Sequence, residues 1–166
     1  MPSVQAFSLR RILPSAVFDQ LSSVMQQMVR ELADGALVVT EAVVPISQRP
    51  LGLVERFVVV VSPQFNGLLL AETLPGHSNP AQLPLNQTLS SEGLLQCTYQ
   101  LGLTFCPTAI ATFLTELSAA LQHNPGAVAL LERAAQQFQP NDATVQSEFT
   151  LRLVEVIAAA LTIALP

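Results

Sequence analysis

Apolar positions along the chain fall into two kinds of run. Arg56-Phe57-Val58-Val59-Val60-Val61-Ser62 is apolar at both parities and β-branched, the pattern of a strand buried on both faces. Leu68-Leu69-Leu70-Ala71 repeats it after a short connection, Ser62-Pro63-Gln64-Phe65-Asn66-Gly67. Residues 56–62 and 67–73 are therefore predicted to be neighbouring strands, joined as a hairpin. Residues 94–105 alternate instead. Leu95, Cys97, Tyr99, Leu101, Leu103 and Phe105 share one face, and Gln96, Thr98, Gln100, Gly102 and Thr104 the other. This is a strand with one apolar and one polar face.

The helical signals lie outside these runs. Val17, Phe18, Leu21, Val24, Met25, Met28, Val29 and Leu32 recur three or four apart, giving an amphipathic helix from a Ser15 N-cap to a stop at Asp34-Gly35. Within it Phe18, Leu21, Met25, Met28 and Leu32 keep a heptad seam. Pro107 suits the first turn of a helix carrying Ile110, Phe113, Leu114, Leu117 and Leu121 on one side, ended by His123-Asn124-Pro125-Gly126. A helix follows over roughly 126–138. The last runs from an Asp142 cap towards Leu165, with Val145, Phe149, Leu153, Ile157, Ala160, Leu161 and Ala164 on one stripe. Residues 36–46 read as another strand, 48–52 and 75–92 as loops, and 1–14 as an irregular lead. The expected fold is one α/β (α+β) domain over 1–166: a mostly antiparallel sheet of about five strands, one helix before it and two to three after it.

Composition narrows the function classes. Half of the 166 residues are apolar and 11% are charged, against about 25% charged in a typical globular chain. Such a sparse charge is accounted for by surfaces that meet partners. All the basic residues are arginine, the net charge is −5, and no basic stripe suggests nucleic-acid binding. Two cysteines make no disulfide framework, and a reducing cytoplasm is the default expectation. Nothing near the N-terminus reads as a signal peptide, and Asn86-Gln87-Thr88 carries no weight as a glycosylation site without one. The apolar stretch from Leu153 to Leu165 is shorter than the ~20 residues a membrane span needs.

The chain shows no catalytic motif, no phosphate-binding glycine loop and no metal-ligand spacing. No metal and no cofactor are expected. Ser62 precedes Pro63 in a turn and lacks the flanking glycines and the base that a nucleophile needs. His77 falls in a polar loop, and His123 at a helix C-terminus is explained by the helix dipole. Cys97 lies on the apolar face of its strand and reads as a small hydrophobe. Cys106 precedes a helix, a position that can activate a thiol, though a structural role there is the ordinary one. Gln96, Thr98, Gln100 and Thr104 either line a cavity beneath the 75–92 loop or face water on an outer sheet face.

Residues 56–121 resemble the DICT sensory domain, an input module of bacterial diguanylate cyclases and two-component proteins. The likeness rests on Val58-Val59-Val60-Val61-Ser62-Pro63-Gln64-Phe65, Leu68-Leu69-Leu70-Ala71-Glu72, Leu103-Thr104-Phe105 and Ile110-Ala111-Thr112-Phe113-Leu114. Cys106 stands where the family pattern has Asp. The order of elements also resembles a GAF domain. Either resemblance implies a non-catalytic cytoplasmic input domain of a histidine kinase or diguanylate cyclase, sensing a small molecule or partner. A homodimer is expected from the heptad seam, the apolar end of the last helix and the sparse charge, and the last helix, unfinished at Leu165-Pro166, is expected to continue into an output domain. The seam Phe18, Leu21, Met25, Met28 and Leu32, with Ile157 and Leu161, is the expected dimer contact. The rival expectation is a scaffold or dimerisation module with no small-molecule ligand.

Overall fold

The structure, a computed structural model, describes residues 7–32, 35–43, 54–73 and 98–163. The expectations for Cys97, His77, Gln96 and the loops at 48–52 and 75–92 lie outside these residues. Its elements in chain order are β1 (Leu9–Pro14), α1 (Ser15–Glu31), β2 (Leu37–Thr40), a tight helical turn (Glu41–Val43), β3 (Val54–Val61), β4 (Asn66–Glu72), β5 (Thr98–Thr104), α2 (Pro107–Ala120), α3 (Pro125–Gln136) and α4 (Ala143–Ile163). The five strands form one sheet in the order β1-β5-β4-β3-β2. Every pair is antiparallel. The α/β class and the antiparallel sheet follow the sequence reading.

The sheet sits between two helical layers. Phe57, Val59 and Val61 of β3 and Leu68 and Leu70 of β4 pack against α2 and α3 through Ile110, Phe113, Leu117 and Leu131. Val58, Val60, Leu69 and Ala71 point the other way, to α1 and α4, and meet Phe18, Leu21, Met25 and Phe149. Both parities of β3 and β4 are thus buried, as the double-sided apolar pattern requires. Each fully buried side chain of this size contributes about 1.5–3 kcal/mol of transfer free energy.

Two sequence expectations change. Residues 9–14 are an edge strand, not an irregular lead. Leu9 pairs with Leu103 and Leu13 with Tyr99, which supplies the strand that the pattern alone did not locate. The cap of α1 is Pro14, whose side chain cannot accept a hydrogen bond, and Ser15 is the first helical residue. The strand read over 36–40 holds as Leu37–Thr40, and its less regular continuation begins as the tight turn Glu41–Val43. Other signals hold. Gly35 takes φ +102° beyond α1, a region open to glycine. Pro107 opens α2. Asp142 Oδ1 accepts from the backbone N–H groups of Thr144 and Val145 at the start of α4. Asn124 does the same for Ala127 at the start of α3.

Candidate functional site

The polar groups of the sheet gather at the end where β3 begins and β4 ends. The register of β3 on β4 slips between Val54 and Arg56, and such a bulge re-aims side chains. Arg56 turns towards α1. It pairs with Asp19 at 2.8 Å and Glu41 at 3.3 Å and lies 4.4 Å from the Phe18 ring centre. Burial alone would lower the Arg56 pKa, but hydrogen bonds and charge from Asp19 and Glu41 hold it above its ordinary value. Beside it, the Tyr99 hydroxyl donates to Glu55 Oε1 at 3.2 Å.

On the opposite face, Arg10 of β1 reaches across β5. It pairs with Glu72 at 3.0 Å, donates to Gln100 Oε1 at 3.4 Å and lies 6.0 Å from the Phe7 ring centre. Phe7 in turn lies over Gly102, where a Cβ would stand 2.8 Å from the ring. Gly102 therefore admits an aromatic lid over the strand that no other residue would admit without moving it. Here the structure adds two residues that sequence reading missed, Arg10 and Glu72. Their signal was weak, because a charged pair in an unrecognised edge strand looks like any scattered charge.

Of the four predicted pocket residues, three lie among the described residues. Gln96 lies outside the described residues. Thr98 is exposed, Gln100 is half-buried against Arg10, and Thr104 is fully buried. Thr104 Oγ1 accepts the backbone N–H of Cys106 at 3.0 Å, so it helps to start α2. Clefts of about 500, 510 and 430 Å³ open elsewhere: beside the start of α4 (Asn141, Gln146, Thr150, Leu151), between α2 and α3 (Ser118, Gln122, Val128, Glu132), and near Asn124 and Leu130.

Most of the expected dimer seam packs within the chain itself. Phe18, Leu21, Met25 and Met28 are 0–3% exposed within a single chain, and Leu32 and Ile157 pack half-buried on the same cluster. A heptad seam and a core-facing stripe share one spacing, and here the stripe faces the chain's own sheet. Leu161 lies outside the residues whose side chains are described. Among the described residues, the exposed large apolar side chains on the helices are those of Leu151 (67%) and Val154 (56%) in α4.

Ser62 keeps the expected turn role. Its Oγ donates to the Phe65 carbonyl and accepts from the Phe65 N–H, at 2.8 and 2.9 Å. Cys106 occupies the N-cap of α2, half-buried and making no side-chain cap bond. His123 is exposed in the turn after α2. Among the described residues, no group of three or more His, Cys, Asp and Glu side chains is placed to hold a metal ion, and no helix is long and apolar enough to cross a membrane.

No protein-family model matches the chain, and no curated protein or solved structure does either. The likeness to the DICT and GAF types accordingly rests on the residues quoted above and on the order of elements.

Proposed function

We propose that the chain is a non-catalytic sensory or regulatory input domain of a bacterial signalling protein, working as a cytoplasmic homodimer ahead of a histidine kinase or diguanylate cyclase output. One observation carries the reading. The helices α1 and α4, remote in sequence, lie together on one sheet face, linked by Arg152 of α4 and Glu31 of α1 at 2.9 Å. The outer side of α4 presents Leu151 and Val154 to a partner. A helix apolar on two sides is suited to pack on its own sheet with one and on a second copy with the other. Movement of the paired helices then passes a signal along the chain.

A second reading, a scaffold or dimerisation module without a small-molecule ligand, rests on the open apolar side of α4, which calls for a partner and not for a ligand. Both readings use the α4 face. Light scattering on the wild type should give the dimer mass, and Leu151→Arg with Val154→Arg should give the monomer with unchanged helix content. A wild-type monomer over a wide concentration range removes the dimer. A metabolite panel read by thermal shift separates the two readings, since only the sensor gains stability from a ligand.

A further inference from the structure

Between α3 and α4 the chain passes from one face of the sheet to the other, round the end of the β3–β4 hairpin. Asn66, fully buried, holds it there. The Asn66 N–H donates to Asn141 Oδ1 at 2.8 Å, and its carbonyl accepts from Asn141 Nδ2 at 3.0 Å. The Asn141 amide thus stands in for one residue of an added strand. Asn66 Nδ2 donates to the Gln139 carbonyl at 2.6 Å and to Asn141 Oδ1 at 3.1 Å. The Asp142 N–H donates to the Gln64 carbonyl at 2.8 Å, and Asn141 Nδ2 donates to Gln146 Oε1 at 3.2 Å. Asn66 Oδ1 stays buried without a hydrogen bond.

Beyond this clasp α4 is held by the Arg152–Glu31 pair and by apolar packing on α1 and the sheet. Among the residues of α4 whose side chains are described, Phe149 and Leu153 are deeply buried, against five in α1. The clasp is built from neutral amides, which water satisfies equally well once they are exposed, and opening would hydrate Asn66 Oδ1, which the closed form leaves unpaired. The sheet gains nothing comparable on opening, because its contacts are apolar.

We propose that the Asn66–Asn141 clasp is a latch: closed, it fixes α4 on α1 and the sheet; open, it lets α4 lift as a unit while the sheet, α2 and α3 stay folded. Local opening of this kind is a recognised class of native-state motion. The proposal deepens the sensor reading by naming the element that moves. Its test needs no ligand, dimer or output domain, so either can fail alone.

The test is amide hydrogen exchange on the full chain, comparing peptides from 144–159 with peptides from 56–72. Asn141→Ala should speed α4 exchange by about tenfold, the loss of a buried hydrogen-bonding partner. Val59→Ala weakens the sheet on the face away from α4, so it should speed exchange in 56–72 by about tenfold and leave 144–159 unchanged. If Val59→Ala speeds both regions by the same factor, α4 opens only with the whole domain and the latch is refuted. An α4 insensitive to Asn141→Ala refutes it equally. Should Asn141→Ala fail to fold, Gln146→Ala replaces it and must give a smaller rise in 144–159.

Discussion

The two faces of the sheet are dressed differently. On the α1/α4 face the apolar cluster runs from Leu13 of β1 through Leu101 and Leu103 of β5 to Val60 of β3. On the α2/α3 face it covers β2, β3 and β4, and over β5 and β1 the same face carries Thr98, Gln100, Gly102, Arg10 and Ile12, the last 59% exposed. Strands under two layers are apolar at both parities, and a strand under one layer alternates. The sequence pattern therefore reports which strands the apolar layers cover on both sides, and the switch from β4 to β5 marks where the α2/α3 cluster gives way to Thr98, Gln100 and Gly102.

The sharpest way to break this comparison is a carboxylate on each kind of position. Val59→Asp, at a fully buried site between two layers, is expected to cost at least about 4 kcal/mol, since the charge has no partner there. Thr98→Asp, at an exposed position of β5, should stay within about 0.5 kcal/mol. Urea melts of both variants check this, and similar midpoints would refute the two-layer assignment. A finer cut uses one strand. Leu103→Ala on the covered side of β5 should cost about 2–5 kcal/mol, and Gln100→Ala on its open side less than about 1 kcal/mol. Equal losses would mean that the open face is covered after all.

A smaller effect concerns how the α2/α3 layer is anchored. Asn124 and Asp142 cap α3 and α4 through their side chains, and α2 starts at Cys106 with no such bond. Cys106→Asp should raise stability by up to about 1 kcal/mol, because a carboxylate satisfies free N–H groups and suits the helix dipole. A clear loss in a thermal melt would show instead that the thiol is needed.

The smallest lies on the opposite layer. The hydrogen bond from Arg152, and then that from Gln27, holds the Glu31 carboxyl below its ordinary 4.5. A carboxylate depressed on folding adds stability above its ordinary pKa and loses it as pH falls through the lowered value. The α1–α4 tie should therefore weaken below about pH 4.5, and Glu31→Gln should flatten that part of the stability profile. The pair is exposed, so added salt should shrink the effect.

Much of this fold was legible because it is written in period and parity. The two-sided strands, the start of α2 at Pro107 and the Asp142 cap are all local signals. The edge strand β1 was not. Its inward face is Leu9, Arg11 and Leu13, broken by a charge, and charged edges that discourage further pairing also hide the strand from a pattern search. The α1 stripe was legible as apolar, but spacing alone does not say whether a helix faces its own sheet or another chain. The Asn66–Asn141 clasp was invisible, since two asparagines 75 positions apart carry no shared period.

The edge strand has a consequence for the order of assembly. Residues 9–14 leave the ribosome well before β5, their partner strand, is made; Arg10 and Gln100 lie 90 positions apart. Closing so long a loop carries an entropic penalty that grows with its length, and nonlocal pairings of this kind slow folding. The β3–β4 hairpin is local and closes early, so until β1 docks, β5 presents a bare edge. The chain is then most open to strand exchange with a neighbour, and β1, made before its partner, is among the last elements to find its place.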